Sequence, residues 1–130
     1  MQGTYILVLF AKKSFTKTIG ALGDVVFKRG FYCYVGSAMA KRGSATLENR
    51  LRRHVRATNE KGIHWHIDYL LTNKYIIVYK IFVIPNPERL ECRIAEELRE
   101  KAKGFVKNFG SSDCACPSHL LYFQKLPILR

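Results

Sequence analysis

Acidic residues are scarce: 10 Asp and Glu stand against 22 Lys and Arg in 130 residues, a formal charge of +12. Long apolar runs are missing too. The two longest, around Tyr75–Ile84 and Tyr5–Ala11, are too short to span a bilayer, so no membrane helix is expected. Basic residues follow the first apolar run instead of preceding it. A secretory leader is therefore not expected, and a cytoplasmic location is. There is no internal repeat and no low-complexity tail. Four cysteines without a secretory context do not suggest a disulfide framework. Apolar residues, by contrast, make up 48% of the chain, enough to bury the core of one domain over residues 1–130.

The charge is uneven. Residues 1–61 carry 12 basic and 3 acidic side chains, against 10 and 7 in residues 62–130. The N-terminal half therefore makes most of the positive field. Such a field attracts phosphate backbones, and less often anionic lipid. The plain alternative is a surface kept soluble by charge. Nucleic acid is the expected partner, and no membrane is.

Thr4–Phe10 is a short apolar run and predicts a buried strand. Lys12–Arg29, broken by Gly20 and Gly23, predicts a small hairpin with arms Thr16–Ile19 and Val25–Lys28. Phe31–Val35 is the next strand, ended by a break at Gly36 and a basic loop holding Lys41 and Arg42. Ser44 suits an N-cap, and Leu47, Leu51 and Val55 recur at helical spacing after it. The phrase HWHIDYLL predicts a second short helix and Tyr75–Ile84 a long strand. Asn86 and Pro87 suggest the cap and first residue of a third helix, closed by Gly104. Leu120–Gln124 is a final strand. The order predicts an α+β fold: a small antiparallel or mixed sheet of three core strands plus an inserted hairpin, flanked by about three helices.

Several residues in this frame carry chemistry. Arg50 and His54 are i, i+4 neighbours flanking the Leu47–Leu51–Val55 stripe. Both can reach a phosphate, or can equally edge a packed face. Arg53 and Arg56 project further outward. In the third helix Glu91 falls inside the apolar stripe of Leu90, Ile94, Leu98 and Ala102, which Phe105 continues. An inward carboxylate needs an arginine, a helix N-terminus or a divalent metal. His64 and Asp68 are spaced as a hydrogen-bonded pair supporting the fold. Cys114, Cys116 and His119 offer three zinc ligands, with His64 or His66 able to add a fourth; ordinary buried cysteines are the alternative.

Gly3-Thr4-Tyr5 and Tyr34-Val35-Gly36 resemble the two halves of the GIY-YIG nuclease signature, and NRLRRH over Asn49–His54 resembles that family's arginine-bearing helix. HWHIDYLL and FGSSDC-x-C-x-SHL further resemble a mainly archaeal branch of the superfamily, with motif order kept over essentially the whole chain. The resemblance implies a nuclease using one Mg²⁺ or Mn²⁺ held by Glu91. Tyr5 and Tyr34 would bracket the attacking water and the phosphate, and Arg50 would stabilise the transition state. His54 would orient an oxygen or carry a proton. Gly3 and Gly36 would support the site, with Lys41, Arg42, Arg53 and Arg56 on nucleic acid. Tyr5 as a base needs a nearby cation to lower its pKa. The family's two half-motifs lie a short turn apart; here 28 residues separate the tyrosines, so the inserted segment must fold outward. The other readings are a non-catalytic DNA- or RNA-binding module on the same fold, with a partner protein for targeting, and a zinc-stabilised interaction domain.

Overall fold

The opening apolar run forms strand β1 (Gly3–Ala11), and every residue in it except Phe10 is buried. A strand with no polar face belongs in the middle of a covered sheet. β1 pairs antiparallel with both β4 (Gly30–Ala38) and β5 (Ile76–Pro85). The sheet is completed by β7 (Leu120–Phe123) and the two-residue β6 (Gly104–Phe105), in the order β5-β1-β4-β7-β6. The computed structural model describes residues 2–40, 46–55, 66–111 and 116–127. Lys41, Arg42, Ser44, Arg56, His64 and Cys114 lie outside the described residues.

The inserted segment forms its hairpin, β2 (Phe15–Thr18) against β3 (Asp24–Phe27), as a separate two-stranded sheet. Gly20 and Gly23 take positive φ in the turn between them, where a side chain would be strained. With the hairpin folded aside, β1 and β4 pair directly. β4 does not break at Gly36 as expected but runs on to Ala38, because β1 gives it partners as far as Gly3.

Each face of the sheet has its own apolar layer. One joins Leu7, Leu9, Tyr32 and Tyr34 to Phe27 of the hairpin and to the helices α1 (Leu47–Val55) and α2 (His66–Leu71). The other joins Val8, Cys33 and Val35 to Ala95 and Leu98 of α3 (Glu91–Lys101). Side chains of β4 thus alternate between the two layers, Tyr32 and Tyr34 on one and Cys33 and Val35 on the other. α3 begins later than Asn86 and Pro87 suggest. The Asn86 carboxamide accepts the Glu88 N–H at 2.7 Å, closing a local turn that delays the helix to Glu91. Phe105 leaves the helical stripe and is exposed in β6. No helix among the described residues is long and apolar enough to cross a membrane.

Burial has a pH consequence. It pushes the Cys33 thiol from 9.0 up to about 12. The folded chain keeps this group protonated while the unfolded chain ionises it. Stability is thus full below pH 9 and is lost as pH rises toward 12. Urea midpoints should fall between pH 9 and 11, by at most about 1.4 kcal/mol per pH unit from this one group. Cys33→Ala should remove its share of the slope; an unchanged slope would contradict the assignment.

Candidate functional site

The register of β1 against β4 fixes which side chains meet. Tyr5 stands opposite Gly36 and Leu7 opposite Tyr34, so the tyrosines are diagonal neighbours on one face. A Cβ at Gly36 would fall against the Tyr5 ring and within 2.5 Å of its hydroxyl. Glycine is required there to let the ring lie over the strand. Gly3 plays a similar part. A Cβ there would meet the Ile84 carbonyl oxygen at 2.8 Å and Leu47 Cδ2 at 3.0 Å, so β1 could not sit this close to α1. Gly36→Ala should cost about 1–3 kcal/mol in chemical unfolding, because the ring it displaces is pinned at its far end. A variant as stable as the parent would contradict this.

The pin comes from α1. The Thr46 hydroxyl accepts the Asn49 N–H at 3.3 Å and caps the first turn. Leu47 is buried and Leu51 half-buried along the helix seam. That seam turns His54 inward, only 2% exposed, and Tyr5 Oη lies 2.7 Å from His54 Nε2. The His54 ring stands 5.4 Å from that of Tyr5 and 6.4 Å from that of Tyr34. One turn earlier, Arg50 Nη1 donates to the Ser37 carbonyl at 2.8 Å, which fixes the guanidinium at the end of β4. Behind Tyr34, Phe109 packs edge-on at 6.2 Å. Among the described residues, His54 also walls a groove of about 590 Å³ with Leu71, Ile76, Val78 and Ile81.

Burial raises the Tyr5 pKa above its ordinary 10.0. Arg50 pulls it down, while Glu91 and Asp68 push it up. The cation that sequence reasoning asks for is present, but burial outweighs it. Tyr34 is raised in the same way, by burial first and then by Tyr5 and Glu91. At neutral pH the Tyr5 phenol is therefore protonated. Where the Tyr5 O–H donates to Nε2, the His54 ring proton sits on Nδ1.

Glu91 faces inward as its place in the stripe predicts and is 9% exposed in the first turn of α3. The partner left open in the sequence is in part an arginine: Arg89 Nη1 lies 3.2 Å from Glu91 Oε1. The Glu91 charge pushes both phenol pKa values up. Tyr5, Tyr34 and His54 are thus brought together, with Arg50 one helical turn from His54, while Glu91 acts on the phenols through its charge.

Other expectations need correction. Arg53 does not project outward. Its Nη2 lies 2.9 Å from Asp68 Oδ2, and the Asp68 side chain is fully buried. An arginine expected on nucleic acid is instead a strut between α1 and α2. Among the described residues His66 belongs to no group of metal ligands. Its Nδ1 accepts the Gly110 N–H at 2.9 Å, and burial lowers its pKa. Beside Cys116 and His119 the described residues place Cys92, which sequence reasoning missed. The donor atoms of Cys92, Cys116 and His119 all lie within 4.8 Å of one another, close enough to hold a metal ion. Cys92 adjoins Glu91 in sequence, but nothing in its spacing points to His119, 27 residues on.

A family model described as "Domain of unknown function DUF123" matches residues 4–129. No curated protein and no solved structure matches the chain.

Proposed function

The chain belongs to the DUF123 family, and we propose that it is a divalent-metal-dependent phosphodiester hydrolase of the GIY-YIG type acting on nucleic acid, DNA foremost. The observation that carries this reading is the 2.7 Å contact of Tyr5 with His54, set beside Tyr34 and Arg50, with the Glu91 charge acting on both phenols. The excess of 22 basic over 10 acidic residues suits a phosphate polymer.

A protonated phenol cannot take a proton from water unless it gives one up. His54 supplies the outlet: as water attacks phosphorus, its proton passes to Tyr5 Oη while the Tyr5 proton passes to His54 Nε2. The phosphorus–oxygen bond to the leaving strand breaks, and that oxygen is reprotonated from solvent. Arg50 places positive charge where the pentavalent phosphate gathers negative charge. Tyr34, packed between His54 and Phe109, orients the phosphate. The carboxylate of Glu91 is an oxygen donor that fits Mg²⁺ or Mn²⁺, ions content with one carboxylate plus water and phosphate. Such an ion, when bound, stabilises the phosphate charge as a Lewis acid. Two thiols and an imidazole suit zinc instead.

The near-complete burial of Tyr5 and its raised pKa favour a second reading, a module that binds nucleic acid without cutting it. One assay separates the two. Plasmid and branched DNA incubated with the chain should be nicked in Mg²⁺ or Mn²⁺ and spared in EDTA. Tyr5→Phe should be slower by about 10²-fold or more. Salt-sensitive binding without cleavage in any divalent ion would select the module.

A further inference from the structure

We infer that Cys92, Cys116 and His119 bind a zinc ion, and that this ion holds the start of α3 so that Glu91 is kept in place for the hydrolytic site. The first part stands on geometry alone; the second rests on the hydrolase reading.

The cluster joins pieces of chain that share no other covalent or metal link. Cys92 lies in the first turn of α3, while Cys116 and His119 lie just before β7. His119 is held from its backbone. Its N–H donates to the Phe109 carbonyl at 2.9 Å, and its own carbonyl accepts the Val35 N–H at 2.9 Å. Its ring is 1% exposed, so the imidazole is set before any ion arrives. Nε2 faces the thiols: Cys92 Sγ lies 3.6 Å away. Zinc bonds of about 2.3 Å to sulfur and 2.0–2.1 Å to nitrogen, at a tetrahedral angle, place two such donors about 3.6 Å apart. The pair already has the edge length of a zinc tetrahedron. Two sulfurs and an imidazole nitrogen select zinc over magnesium or manganese, which prefer oxygen.

The other ring nitrogen provides the coupling. His119 Nδ1 lies 3.9 Å from Glu91 Oε2, about 1 Å beyond a hydrogen bond that the pair could close. A metal on Nε2 requires the ring proton on Nδ1, where it faces this carboxylate. Carboxylate, imidazole and metal in that sequence are a recurrent arrangement, and each member orients the next. Glu91 and Cys92 are also adjacent in the same helical turn. An ion that fixes Cys92 therefore fixes the Glu91 backbone too.

The test starts from the intact purified chain. Elemental analysis should find about one zinc per chain, and exchange with Co²⁺ should give a thiolate-to-cobalt charge-transfer band. Cys92→Ser should weaken zinc binding by more than about tenfold while circular dichroism shows the fold retained. Absence of zinc and of the cobalt band would overturn the site, as would wild-type zinc affinity in Cys92→Ser. For the coupling, Mn²⁺ binding is measured by electron paramagnetic resonance in zinc-loaded and zinc-stripped protein. Stripping should weaken Mn²⁺ at the Glu91 site by about tenfold; unchanged affinity would overturn the coupling. A chain that holds zinc but cuts no nucleic acid would sink the hydrolase reading and the coupling, and would leave the zinc site standing.

Discussion

Arg50→Ala should slow phosphodiester cleavage by about 10²–10³-fold while weakening nucleic-acid binding by less than about tenfold. The asymmetry follows from position. Arg50 is tied to the Ser37 carbonyl at the end of β4, beside the Tyr5–Gly36 pair, and is not on an open basic surface. On the hydrolase proposal its charge would act where negative charge develops, so the loss should fall on the transition state more than on the bound substrate. Arg50→Lys should recover little, since an ammonium cannot reproduce the guanidinium fork. Single-turnover rates and binding curves measured on the same labelled DNA read both quantities. Equal losses in rate and affinity would make Arg50 a simple phosphate contact.

The second large effect concerns stability. Arg53→Ala should destabilise the chain by about 3–5 kcal/mol, because it takes the guanidinium away from a fully buried carboxylate. For a domain of this size that corresponds to a fall in melting temperature on the order of 10–20 °C. Replacing Arg53 and Asp68 together by leucine should restore much of the loss, since the desolvation cost of the pair disappears with the pair. A fall equivalent to less than about 1 kcal/mol for Arg53→Ala would place the bridge among the weak surface pairs.

These two arginines show what was legible in the sequence. Arg50 and His54 could be placed together because both ride one helix at i, i+4 and one seam orients them. Arg53 could not be placed, because what turns it inward is Asp68 on another helix, and helical periodicity carries no information about that contact. The strands were legible for a similar reason. Apolar runs broken by Gly20 and Gly23 define β1, the hairpin and β4 without reference to the rest of the chain. The two residues of β6 are too few to make a pattern and form a strand only because β7 offers them an edge. The start of α3 was hidden by a competing local turn at Asn86. Glu91 was legible as an inward carboxylate because the Leu98–Ala95 stripe surrounds it. Cys92 was not, since its neighbours Cys116 and His119 meet it only through the packing of α3 against β4 and β7. The separation of the two tyrosines was the main obstacle to pairing them by eye, and the hairpin removes it by packing as a separate sheet against one apolar layer.

The central claim is that Tyr5, Tyr34, Arg50, His54 and Glu91 form one hydrolytic site with a divalent ion at Glu91. The most direct measurement is the single-turnover rate of DNA cleavage as Mn²⁺ is titrated into the wild type and into Glu91→Ala. The account predicts a saturable, metal-dependent rate for the wild type. It predicts a rate at least about 10²-fold lower in Glu91→Ala at any Mn²⁺ concentration, with the fold intact by circular dichroism. Cleavage by Glu91→Ala at the wild-type rate, or no cleavage by the wild type in any divalent ion, would contradict it.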